Sequence, residues 1–160
     1  MARGDISIIK GCGPAVEFQT EANSTAIYAG EPVKLKAAGS PYAIACVDGD
    51  LTIGTDTVFL GIAATDSTHT TAADGVVRVY MVTATTVLRA KAKTYSTVDT
   101  QSEINALVGD RVVLDLTSTT WTIDAAAGEN SANAFYILGG DPVRGTIDFN
   151  CRLDACYAAQ

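Results

Sequence analysis

The chain has 160 residues, 48% hydrophobic and 18% charged, with a formal net charge of −7 and a pI near 4.5. That length suits one domain with a sizeable core, and the acidity argues against nucleic acid as a partner, because phosphate binding needs a basic footprint. No apolar run approaches the roughly 18 residues of a spanning helix and the first residues lack the apolar stretch of a signal peptide, so the expectation is a soluble chain made in a cytoplasm with no membrane partner.

Abundant Ala, Val, Ile, Leu and Thr with 14 Gly favour short strands joined by turns. Cys12, Cys46, Cys151 and Cys156 form no CxxC pair and His69 is the single histidine, so neither a zinc site nor any other metal or cofactor is expected. Free thiols are expected, with Cys151 and Cys156 the nearest pair for a bridge.

In chain order, residues 1–28 read as an N-terminal arm or edge segment, and 29–160 as a β-rich domain. Asp5–Ile9 and Val16–Thr20 are strand candidates split by Gly11-Cys12-Gly13-Pro14. Arg3-Gly4-Asp5 and the acceptor-like Asn23-Ser24-Thr25 are too short or out of context to carry function. Ala29-Gly30-Glu31-Pro32 turns into a strand at Val33–Ala37, where Lys34 and Lys36 alternate with apolar neighbours. Further strands are predicted at Tyr42–Val47 and, across the turn Asp48-Gly49-Asp50, at Leu51–Ile53. That acidic turn lacks the spacing of a calcium loop.

Phe59–Lys93 reads as three strands with two turns: Phe59–Ala64, then a polar loop Thr65–Thr71 expected to be mobile, Val76–Thr83 after Asp74-Gly75, and Leu88–Lys93. His69 beside Ser67 and Thr70 mimics a nucleophile and base, but no rigidly placed carboxylate accompanies them. In the third strand Leu88, Ala90 and Ala92 alternate with Arg89, Lys91 and Lys93. Such a basic row is either a solvated face, where lysine guards an edge strand, or a docking contact for an acidic neighbour. Arg89, Lys91 and Lys93 are the candidate partner-contact residues.

A helix is predicted over Thr100–Val108, with a Thr100/Glu103 capping box, an Ile104, Leu107 and Val108 stripe, and Gly109 as its stop. Strands resume at Val112–Leu116 and Trp121–Asp124, with Trp121 a core or subunit-contact residue. After the polar connection Ala125–Asn133, Phe135–Leu138 leads to a turn at Gly139-Gly140-Asp141-Pro142, which lacks the Lys-Ser/Thr of a phosphate loop. The closing strand Thr146–Asp154 sets Ile147, Phe149, Cys151 and Leu153 on one face, making Cys151 a core thiol. The sum is a mainly β fold: a single compact β-barrel or sandwich of about ten short strands with one short α-helix.

Three of these pieces carry a family resemblance: Ala29-Gly30-Glu31-Pro32-Val33 opening a strand; Phe59-Leu60-Gly61-Ile62-Ala63 followed by Asp74-Gly75 and Val76–Val82; and Gly139-Gly140-Asp141-Pro142 before a terminal strand. Over roughly residues 29–93 and 135–153 the chain resembles the capsid decoration, or cement, proteins of tailed bacteriophages. The resemblance implies a non-enzymatic virion protein on the capsid exterior that binds the major capsid protein, forms a homotrimer and holds neighbouring capsomers together. It also implies that residues 1–28 serve as an ordering arm. The alternative is a receptor- or glycan-binding β-domain of a virion or cell surface, using Trp121, Tyr80, Tyr95 and Tyr136. An enzyme, the third class, would require two close carboxylates in a shared pocket.

Overall fold

The computed structural model describes residues 5–37, 39–48, 58–126 and 132–156. Runs with period-two alternation become strands: β1 (Ser7–Lys10), β2 (Ala15–Thr20), β3 (Pro32–Leu35), β4 (Ala43–Ala45), β5 (Phe59–Ala63), β6 (Gly75–Met81) and β7 (Val87–Ala92). Helix α1 (Gln101–Leu107) follows, then β8 (Arg111–Val112), β9 (Leu114–Thr117), β10 (Thr120–Ile123), β11 (Phe135–Asp141) and β12 (Thr146–Cys151). The protein is mainly β, as expected, with a nearly closed barrel-like sheet, a second sheet and one α-helix among the described residues.

The barrel is antiparallel, in the order β2-β6-β5-β3-β4. A parallel bridge between Gln19 and Tyr42 joins its two outer strands. Ile27, Val33, Leu35, Leu60, Val77 and Val79 fill its interior. The second sheet runs β8-β11-β12-β7-β10-β9, with β1 also on β7. Its core, which includes Leu88, Ile104, Phe135, Ile147 and Phe149, takes in Phe59 and Ile62 from the barrel. The rings of Phe59 and Phe135, and of Phe135 and Phe149, meet edge to face with centroids 5.3 Å apart. Such pairs contribute about 0.5–1.5 kcal/mol each beyond area burial.

Strand β5 is thus a wall common to both cores, buried along its whole length. Strict alternation would place Phe59 and Ile62 on opposite faces, yet both enter the second core, while Leu60 and Ala63 enter the barrel. The phase changes at a bulge: Val33 pairs with Gly61 and Lys34 with Phe59, leaving Leu60 unmatched. Gly61 sits there at φ 149°, a conformation glycine alone adopts readily.

The segment read as an arm is laid on the same chain. β2 pairs with β6 over six residues and β1 with β7. Ile6 is buried in the second core. β7 is an interior strand rather than an edge. β12 lines one side of it; on the other, β1 pairs its first half and β10, in parallel, its last residues. Asp5 Oδ2 accepts the Trp121 N–H at 2.9 Å where β1 and β10 meet end to end.

Helix α1 has the predicted capping box. Its Ile104 is fully buried, and Gly109 follows the helix at φ 94°. Four expectations change. Phe59–Lys93 is not one three-stranded unit, since β5 and β6 belong to the barrel and β7 to the second sheet. Val112–Leu116 breaks into β8 and β9, which lie at opposite edges of that sheet. Gly139-Gly140-Asp141 continues β11, and a bulge at Leu138 carries the chain on, so the turn falls at Pro142–Gly145. Leu153 leaves the sheet for a 3-10 turn and is 66% exposed. The predicted strand Leu51–Ile53, residues 49 and 50 of the preceding turn, and residues 127–131 of the connection lie outside the described residues.

Candidate contact surface

The basic row on β7 projects from the middle of a sheet, and two of its three cations are matched within the chain. Arg89 donates from Nε and Nη2 to Asp148 Oδ1 and Oδ2 at 2.6 and 2.8 Å, a two-point pair across the β7–β12 ladder. The hydrogen bond to Asp148 holds the guanidinium pKa above its ordinary value. Lys93 Nζ donates to Asp115 Oδ1 at 2.8 Å and Asp124 Oδ2 at 3.0 Å. These two carboxylates, Asp115 first, raise the lysine's pKa. Burial pushes the Asp115 carboxyl up, but hydrogen bonds from Lys93 and Thr117 outweigh it and leave the pKa lowered. Lys91, between Thr122 and Thr146 in register, is exposed.

The loop around His69 is fastened down rather than loose. His69 Nε2 donates to Ser24 O at 3.0 Å, Ser67 Oγ accepts the Ile27 N–H at 3.0 Å, and Ser67 N donates to Ile27 O at 2.8 Å. Ser67 therefore spends its hydroxyl on backbone. Asp74 accepts the Ala22 N–H and the Tyr42 hydroxyl, at 2.8 and 2.9 Å, and both lower its pKa. Asp99 and Glu103 are two carboxylates in hydrogen-bond contact. A hydrogen bond with Glu103 raises Asp99, while the Thr100 hydroxyl lowers Glu103. Asp99 is exposed and Glu103 half-buried at the start of α1, where Glu103 accepts the Thr100 N–H as part of the cap. Cys151 is a buried core residue whose thiol is pushed up by a hydrogen bond with Cys156 and by burial.

The four aromatic candidates do not converge. Tyr80 projects from β6 of the barrel, and Tyr136 lies between the guanidiniums of Arg111 and Arg152, 6.0 and 5.8 Å from its centroid. Tyr95 and Trp121 mark two further places, and these give two candidate contact features among the described residues. The first is a cleft of about 400 Å³ between the barrel and the β9–β10 hairpin. Ile44, Ala45, Val47, Leu116 and Trp121 are among its apolar lining, and Glu31 also lines it, its Oε2 accepting the Tyr28 N–H at 2.9 Å. Trp121 is only 3% exposed, so its ring face is covered and the cleft offers an apolar recess rather than a stacking platform. Asp48 Oδ1 accepts the Leu116 N–H at 3.0 Å and ties the hairpin to the segment after β4.

The second feature is the β11–β12 turn, a projecting tip. Asp141 Oδ1 accepts the N–H groups of Val143 and Arg144 at 3.0 and 3.3 Å. The Tyr95 hydroxyl donates to Pro142 O at 3.1 Å, and Ala92 N donates to Gly145 O at 2.9 Å. Gly145, at φ 61°, leaves room for the Tyr95 ring where a Cβ would stand. On this fastened turn Val143 is 88% exposed.

No protein-family model matches the chain, and no curated protein matches it.

Sequence reasoning found the basic row but missed both the tip and the cleft. Asp141-Pro142 signals a turn, and an apolar Val143 within it is the one local sign of a presented side chain. The cleft has no local sign, because its walls come from residues near 28, 45 and 118 brought together by the packing of two sheets. Among the described residues no helix is long and apolar enough to cross a membrane.

Proposed function

We propose that this protein works by surface contact: a virion structural protein that binds the outer face of an assembled tailed-phage capsid, through the major capsid protein, and stabilises contacts between capsomers as a homotrimer. The observation that carries this reading is the contrast between matched charge and uncovered apolar surface. Arg89 and Lys93 are neutralised inside the chain, whereas Val143 stands out on a turn whose backbone groups take part in four hydrogen bonds, one of them from the exposed Tyr95 beside it. Fixed apolar projections suit contact, because little conformational entropy is lost when they are covered. A frame of two cores sharing β5 is also suited to transmitting load between neighbours. The family resemblance of residues 29–93 and 135–153 points the same way, and many copies on one shell allow each contact to be modest.

The experiment is co-sedimentation of purified protein with expanded capsids of the encoding phage that have been stripped of it. Saturable binding at a fixed copy number per capsomer is expected. Protein left in the supernatant at saturating concentration would reject the reading.

A further inference from the structure

The cleft and the tip lie at opposite ends of the second sheet. Ile123 of β10 is in register with Ala92, whose N–H is bonded to Gly145 of the tip. The β9–β10 turn at Ser118–Thr119, which borders the cleft, is at the other end of β10. Four strand residues span about 13 Å, and β7 and β12 intervene sideways, so a molecule cannot place its own tip in its own cleft. The two are nonetheless complementary. The tip offers a small apolar side chain next to a cation, Arg144, whose side chain is 72% exposed and only 3.5 Å from its own Asp141. The cleft offers apolar walls, including Val47 at 57% exposure, beside the Glu31 carboxylate. Its 400 Å³ is ample for a valine and the end of an arginine.

We propose that copies of this chain bind head to tail, with the Val143–Arg144 tip of one entering the Trp121 cleft of the next. The contact is heterologous: each copy uses one surface to give and another to receive, so the chain of contacts closes into a ring or continues as a filament. One tip in one cleft buries less than the ~800 Å² per partner of a stable interface, so a single contact is weak and closure supplies the avidity. The occupant is a second copy because the apolar shape and the opposite charge are both present on this chain. In a closed ring the Val143 tip is covered by the neighbouring copy, and capsomers are held together through the linked copies.

Sedimentation velocity of the intact chain from about 5 to 500 μM is expected to show concentration-dependent association. Val143→Asp and Arg144→Glu, both on exposed side chains, should each weaken it at least about tenfold. Cross-linking gives the second test. One preparation carries Val143→Cys and the other Thr119→Cys, both on a Cys12→Ser, Cys46→Ala background to remove the exposed thiol and the one that lines the cleft. Under mild oxidation the mixture should give disulfide-linked dimers faster than either preparation alone. A wild-type chain that stays monomeric throughout, association unaffected by Val143→Asp, or mixed cross-linking no faster than that of the separate preparations would each overturn the proposal. A monomer that still binds capsids would overturn this contact and leave the capsid reading standing.

Discussion

Replacing Gly61 by alanine puts the largest strain on the shared wall of the two cores. At φ 149° any side chain is strained, and the added Cβ would fall inside the van der Waals shell of the Tyr80 carbonyl oxygen, with Tyr80 C at 3.0 Å and Val82 N at 3.1 Å. Those atoms are backbone of β6 and the residue after it, so relief requires parting β5 from β6 by more than about 1 Å. That opening would strain the Val82 N–H bond to Leu60 O, now 3.0 Å. Backbone strain of about 1–3 kcal/mol and overpacking of about 1–3 kcal/mol add to a loss on the order of 3–5 kcal/mol. For a chain of this size that lowers Tm by roughly 10–15 °C. Urea unfolding and calorimetry measure it. Gly39→Ala is the control, since Gly39 has φ 76° but nothing within 4 Å of the added Cβ, and should cost about 1 kcal/mol. A Gly61→Ala protein within 1 kcal/mol of wild type would refute the reasoning that a glycine-dependent bulge turns Phe59 and Ile62 to one core.

Three further outcomes follow from the same structure. A double-mutant cycle with Arg89→Met and Asp148→Asn should give a coupling of about 1 kcal/mol, read from urea denaturation, because the pair is two-pointed and mostly covered; zero coupling would mean the row on β7 is simply solvated. The lowered pKa of Asp115 makes its contribution to stability fully present above the unfolded value near pH 4 and progressively lost as pH falls below it. Asp115→Asn should therefore flatten the acid limb of a Tm-against-pH curve and leave its slope between pH 5 and 8 unchanged. Deleting residues 1–10 removes β1 and uncovers the core around Ile6, so it should destabilise the fold by at least about 2 kcal/mol; a truncated chain as stable as the intact one would show that β1 is a detachable arm.

Local chemistry made much of the frame legible. The Thr100/Glu103 box, the strand after Asp74-Gly75, and the alternation of Ile147, Phe149 and Cys151 each depend on residues within one turn or one strand, and each appears where expected. What depended on pairing partners did not. Nothing local distinguishes β7 as an interior strand: its basic residues look like an edge guard until Asp148, Asp115 and Asp124 are brought beside them from 22 to 59 residues away. Leu153 follows the period of β12 yet lies outside it, because the strand ends at Cys151 and Arg152 begins a 3-10 turn. The contact surface was least legible, since the cleft exists only after the barrel and the second sheet meet across β5.

The central claim, that this protein strengthens a capsid by covering its outer contacts, is tested most directly by heating capsids stripped of the protein with and without saturating protein added back, and following release of the packaged DNA. The account predicts release at a higher temperature with the protein bound, and a smaller rise with Val143→Asp. Identical release curves with and without bound protein would contradict it.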